Sequence, residues 1–284
     1  MGGFGMRKEI REKNGFEQVL SSTIKLPMVH ISREKFLRSE LQKYCDDAIV
    51  EEAIRYNPAY AGISPKTIDK IANNCIVFEA ARVSAISFAA GIPGGFAMVG
   101  TITADFVQYL AHILRIMQKL CYLYGWQELI GENNTVDDGT KNLLILFTGV
   151  MLGIESAAKT VSKISVKMSI KAAKALPQKA LTKGVIYPIV KKVASVIGVK
   201  MTKEVFAKGV AKVIPVVGGF VSGGLTFASY KPMAKKLKKY LSELKTADPE
   251  YYRNLRKKTG SEYSEYIEAE FVDTDDTVIQ DDFI

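Results

Sequence analysis

Much of what usually announces a function is missing from this chain. There are three cysteines, Cys45, Cys75 and Cys121, far apart and without a C-x-x-C pair, and only two histidines. That disfavours a zinc site and a secreted disulfide framework, and three scattered thiols fit a reducing compartment. No G-x-S-x-G, H-E-x-x-H, P-loop or Rossmann glycine pattern occurs. The common signatures of nucleophile elbows, zincins and nucleotide binding are therefore absent, and "VSGGL" at Val221 lacks the elbow spacing. Residues 1–20 contain no apolar h-region and no small-residue cleavage site, so no secretory signal is expected. Met6 stands where a myristoylation motif on Gly2 wants Ser or Thr. Period-two alternation is nearly absent, which leaves little room for a sheet. Proline is sparse, nine in 284 residues, so long helices are permitted.

What is present is apolar and basic. Hydrophobic residues make up 48 % of the chain, enough for a sizeable core. The formal net charge of +9 conceals an asymmetry. No Lys or Arg follows Lys258, whereas residues 261–284 carry nine of the 30 acids, so residues 1–260 hold 39 basic against 21 acidic side chains, a net +18. A basic body points to anionic partners, and the acidic segment could compete for that basic surface or simply remain solvated.

The expected fold class is all-α, a multi-helix bundle with disordered termini. Residues 34–57 place Phe36, Leu37, Leu41, Tyr44, Ala48, Ile49 and Ala53 at helical spacing, and Pro58 ends that helix. Ser64 then serves as N-cap with Pro65 at the first helical position of the next. That helix runs into "AGIPGGFAMVG", inside a stretch with no charge between Arg82 and Asp105. Pro93 costs a helix interior about 3 kcal/mol and each glycine roughly 1 kcal/mol. Val83–Ala90 and Phe96–Ala104 are therefore expected as two short helices meeting at a tight turn. Each is too short to span a bilayer, which needs about 20 residues. A second such hairpin is expected over Val213–Tyr230, around Pro215. Either hairpin could lie in the core or dip into one leaflet, with Phe88, Ile92, Pro93, Phe96, Pro215 and Phe220 as the contacts.

The helix after Asp105 carries a polar stripe of Gln108, Tyr109, His112, Arg115 and Lys119, within about 60–80° of Asp105, with apolar residues on the other side. Asp105, Tyr109 and His112 could form an acid–base cluster. A solvent-exposed or interhelical polar stripe is the commoner meaning. Gly125 reads as the C′ cap. "LLILFTGVMLGI" is apolar all round but about a dozen residues long, which suits a central core helix better than a membrane span. Lys159, Lys163, Lys167, Lys171 and Lys174 then fall within about a 120° arc opposite Ala157, Val161, Ile164 and Met168. From Lys159 to Lys212 there are thirteen lysines, one acid (Glu204) and no arginine. Lys191 and Lys192 belong to this run. Lysine without arginine suits an anionic lipid surface better than bidentate phosphate or base recognition, though a solvated face is an equal reading. Nucleic-acid binding is disfavoured, because no recognised motif is present and aromatics do not interleave with the lysines.

The segment "AGIPGGFAMVGTITADFVQYLAHILRIMQKLCYLYG" resembles the EcsC protein family. So do "LPQKALTKGVIYPIVKKVASVIGVKM" and "KVIPVVGGFVSGGLTFASYKPMAKKLKKYL". The resemblance rests on the order of these elements and covers residues 40–245. It implies structural turns at Gly91, Gly94 and Gly95, at Gly125 after Tyr124, and at Gly218 and Gly219 beside Pro215, with Asp105 opening a helix. It implies a bacterial host and no catalytic residue, and the family takes its name from an operon that also encodes an ABC transporter. The domain reading is an extension over 1–33, a helical domain over 34–245 and an acidic segment over 246–284.

The resulting functional expectation is a non-enzymatic, cytoplasmic protein peripheral to the inner face of the cell membrane. It would bind anionic membrane lipids through its lysines and apolar hairpins, as an accessory to a membrane complex or ABC transporter. No cofactor and no metal are expected, and the sequence leaves the oligomeric state open. One alternative is a soluble interaction module with buried hairpins. Another is a lipid-directed hydrolase, for which Glu79, Asp105, His112 and Glu155 are the available acid–base groups.

Overall fold

A computed structural model describes residues 16–90, 104–170, 186–200 and 221–257. Among these the architecture is helical, with no strand. The elements are α1 (16–24), α2 (Arg33–Leu41), α3 (Asp47–Arg55), α4 (Pro65–Ala90), α5 (Ala104–Leu123), α6 (Asp138–Met151), α7 (Glu155–Ile170), α8 (Ile186–Lys200) and α9 (Val221–Ser242). A 3-10 turn at Lys245–Ala247 and α10 (Pro249–Lys257) follow. Helices α4, α5 and α9 pack together as one layer, α6, α7 and α8 as another, and α9 against α6 joins them. Trp126 and Phe147, both fully buried, meet edge to face at 4.8 Å.

Several expectations hold. Ser64 Oγ accepts the Thr67 N–H at 3.2 Å and opens α4. Asp137, which no sequence expectation named, caps α6 in the same way, accepting from the Thr140 N–H at 2.6 Å. The apolar run in α6 is a core helix, with Leu143 to Phe147 buried. Gly149 on α6 sits at a close approach of neighbouring helices: a Cβ there would stand 2.7 Å from both Ala157 of α7 and Val193 of α8.

The stretch from 34 to 57 is two helices rather than one. The N–H groups of Tyr44 and Cys45 close onto the Leu41 carbonyl, and Asp46 in extended conformation begins α3. The acid pair Asp46–Asp47 suits a helix N-terminus better than a helix middle. Likewise α4 continues unbroken through Val83–Ala90, which are its last turns rather than a separate short helix. Of the second expected hairpin, over Val213–Tyr230, residues 213–220 with Pro215 lie outside the described residues, and residues 221–230 are helical within α9.

Both domain boundaries shift. The stretch before residue 34 is not a mere extension, because Phe16, Val19, Leu20 and Ile24 of α1 bury themselves in the main core. Arg33 is itself buried, with its guanidinium clasping carbonyls. Nε donates to Trp126 O at 3.1 Å, Nη1 to Ile54 O at 2.6 Å, and Nη2 to Ala53 O at 3.3 Å and Tyr56 O at 2.9 Å. Three of these carbonyls are the orphan acceptors at the end of α3. Beyond residue 245 the chain is also built in. Tyr252 and Leu255 of α10 pack on Ala59, and Asn57 Nδ2 donates to the Tyr252 hydroxyl at 3.0 Å.

Gly125 closes α5 as expected, at φ +93°. The Trp126 N–H reaches the Cys121 carbonyl at 2.9 Å, and the Gly125 N–H the Tyr122 carbonyl at 3.4 Å. This is a Schellman closure. A Cβ at Gly125 would lie 2.4 Å from the Thr246 backbone oxygen. Gly125→Ala therefore meets both left-handed strain and a backbone collision, and is expected to cost about 3 kcal/mol. Urea unfolding of the variant, with an unchanged m-value, checks this.

Candidate functional site

The polar stripe of α5 does not face solvent. Its His112, Arg115 and Lys119 face α4 and enclose an acid there. Glu79 lies on the buried face of α4, between Ile76 and Ala80, and is 0 % exposed. Its Oε1 accepts from Lys119 Nζ at 2.7 Å and Arg115 Nη2 at 3.4 Å, and its Oε2 pairs with His112 Nδ1 at 3.2 Å. Burial alone would raise the Glu79 pKa. Hydrogen bonds from His112 and Lys119, with the charges of Lys119 and Arg115, outweigh it and hold the carboxyl down at about 2. The Tyr230 hydroxyl of α9 donates to the His112 backbone carbonyl at 3.1 Å, and Tyr230 lies edge-on to Tyr109 at 6.3 Å. Arg115 also donates from Nη1 to the Met28 carbonyl, tying the turn after α1 to the cluster.

As chemistry, the Glu79 carboxylate is occupied, while His112 Nε2 and Arg115 Nε are buried with no hydrogen-bond partner among the described residues. Both Glu79 oxygens are filled by cationic or imidazole donors, and a carboxylate held at about 2 is a weak base. The nearby Cys75 thiol is pushed up to about 12, first by its own burial, so it is no ready nucleophile. Of the acid–base candidates, the structure brings together Glu79 and His112 only. Tyr109 is buried against Tyr230 and Met233, its hydroxyl 3.6 Å from the Met233 sulfur. Glu155 is exposed on α7 and pairs with Lys159 at 3.3 Å, one turn away. Asp105 is in the first turn of α5, and its side chain lies outside the described residues. Among the described residues no group of three His, Cys, Asp or Glu could hold a metal ion.

The outer face of α4 tells a different story. Along it, Lys66, Lys70, Asn73 and Asn74 are exposed, and they give way to Val77, Phe78, Ala81 and Arg82. Val77 is 52 % and Phe78 56 % exposed, high for residues of their kind beside a well-filled core. Arg82 and Lys119 place their charges 5.6 and 5.7 Å from the Phe78 ring. The helix thus turns from polar to aromatic and cationic as it approaches the uncharged stretch that starts at Val83. The sequence signal for this pair is phase: Val77 and Phe78 fall off the Ile68, Ile71, Cys75, Ile76 stripe.

Of the lysine set, Lys159 and Lys163 stand exposed on α7, and Lys191 and Lys192 on α8, the two helices packing side by side. Ala157, Val161 and Ile164 face inward as expected. The Lys167 side chain, Lys171 and Lys174 lie outside the described residues. So do the Phe88 side chain, Ile92, Pro93, Phe96, Pro215 and Phe220, and the turn glycines Gly91, Gly94, Gly95, Gly218 and Gly219. Among the described residues no helix is long and apolar enough to cross a membrane.

Comparison with known families, curated proteins and solved structures finds no match to this chain. The physical features of the sites above therefore stand on their own.

Proposed function

We propose that this chain is a peripheral protein of anionic membrane surfaces, of the EcsC kind and without a catalytic role. The observation that carries this reading is the outer face of α4, where exposed Val77 and Phe78 sit beside Arg82 and lead into an uncharged stretch. An aromatic ring flanked by cations suits the boundary between headgroups and acyl chains. The lysines of α7 and α8 would add an electrostatic contribution of about 1 kcal/mol each near anionic headgroups. A basic face together with an apolar contact is the two-signal arrangement that anchors stably. Such a protein would work on the cytoplasmic face, beside a membrane complex such as an ABC transporter. The filled coordination of Glu79 supports a binding role over hydrolysis.

Co-sedimentation with vesicles of graded anionic-lipid content, at low and high salt, tests the proposal. Binding is expected to rise with anionic lipid and to leave a remnant at high salt. Lys159, Lys163, Lys191 and Lys192 changed together to Gln should lower low-salt binding tenfold or more. Val77→Ser with Phe78→Ser should remove the salt-resistant remnant, and both residues are exposed enough to be changed without emptying the core. Failure of the unaltered chain to sediment under every condition would refute the reading.

A further inference from the structure

Between the first turns of α4, the end of α5 and the turn after α9 lies an open groove of about 640 Å³. Its floor is apolar, formed by Ile63, Ile68 and Leu123, all buried. Its rim is basic, with Lys66 and Lys70 exposed. Asp69 is the sole acid among the groove's lining residues, and it is neutralised. Its Oδ1 lies 2.6 Å from Lys238 Nζ and its Oδ2 accepts from Asn73 Nδ2 at 3.2 Å. The groove therefore presents net positive charge over an apolar base.

We propose that the occupant of this groove is the acidic segment of the same chain, residues 261–284. Charge complementarity is the first reason. That segment holds nine acids and no base, and Tyr263, Tyr266 and Ile267 interleave with Glu262, Glu265 and Glu268. Acids meet the lysine rim while rings and an aliphatic side chain meet the floor. Location is the second reason. Helix α10 ends at Lys257, held by the Asn57–Tyr252 hydrogen bond and by Arg256 over the Tyr60 ring at 4.0 Å. Its Tyr252 and Leu255 pack on Ala59, and Ala59 lines the groove. Glu262 is five residues beyond Lys257, so it reaches roughly 17 Å at most from that anchor. A tether this short gives an effective concentration on the order of millimolar, so even a weak contact is populated. Anionic ligands or partners at this groove would then compete with the chain's own segment. This inference holds whether or not the protein binds membranes.

Zero-length carbodiimide crosslinking of the full chain at low ionic strength, mapped by mass spectrometry, tests it. The adjacent Lys238–Asp69 pair serves as internal control. Lys66 and Lys70 are expected to join acids of 261–284 within one chain, several-fold above Lys159, Lys163, Lys191 and Lys192. In the Lys66→Glu, Lys70→Glu variant chymotrypsin should cut at Tyr263 and Tyr266 several-fold faster, whereas Lys159→Glu with Lys163→Glu should change nothing. Adducts spread evenly over exposed lysines would overturn the proposal. Adducts concentrated on α7 and α8, or found only between chains in a mixture of labelled and unlabelled protein, would do the same.

Discussion

Glu79→Gln is expected to destabilise the fold by about 3–5 kcal/mol at neutral pH, because it leaves Lys119 and Arg115 in the interior without their counter-charge. The glutamine still offers one acceptor, so the loss is chiefly that of the charge. At the 2–4 °C per kcal/mol usual for a domain of this size, Tm should fall by about 10 °C. The wild-type pH profile carries the same signature. The folded pKa of Glu79, about 2, lies below its ordinary 4.5. Its contribution is therefore fully present above about pH 4.5, and is lost as pH falls toward 2. The full contribution is about 3 kcal/mol, from 1.36 kcal/mol per unit. Urea unfolding of both proteins from pH 7 to 3 should show the gap between them closing as acid is added. A gap that stayed constant would mean that the carboxylate charge is not what holds the cluster. Changing Glu79, His112, Arg115 and Lys119 together to apolar residues should restore much of the loss, as buried ionic groups often can be replaced when none is left alone.

Arg33→Met should be the other severe substitution, at about 4 kcal/mol. It removes the guanidinium that four backbone carbonyls share, those of Trp126 and Ala53 at buried bonds and those of Ile54 and Tyr56 at part-buried ones. Arg33→Lys should rescue little, since an ammonium cannot span the Trp126 carbonyl on one side and the end of α3 on the other. Burial lowers the Arg33 pKa to about 10, against the raising influence of Tyr122 and Glu128, and it stays protonated at neutral pH. Hydrogen exchange offers a local check. Amides of α3 and of the Trp126 loop should lose protection together in the methionine variant, well before those of α6.

Helix starts, the Gly125 closure and the apolar α6 could be read from local pattern, because capping residues, positive φ and all-round apolar composition are local facts. The α5 stripe was visible too, but its partner was not, since Glu79 is 33 residues away from His112. A signal did exist. Glu79 occupies the next step of the stripe Ile68, Ile71, Ala72, Cys75, Ile76, so a lone acid stood on an apolar face. The role of α1 was hidden because its short apolar stripe adjoins the charged residues 7–13. The role of Arg33 was beyond local reading, as its acceptors come from two distant chain segments. The break between α2 and α3 turned on Asp46, whose preference for a helix start outweighed a continuous apolar period.

The contact of α9 with α4 and α5 sets a timetable for synthesis. The Tyr230 hydroxyl meets the His112 carbonyl across 118 residues of chain. At 5–20 residues per second, a ribosome needs roughly 6–24 s to deliver the one after the other. Throughout that interval the apolar sides of α4 and α5 await their cover, and the ionic cluster between them is complete only in its own layer. Nascent chains halted before Tyr230 should thus be held by chaperones and cut readily by protease. Chains halted after Leu255 should resist.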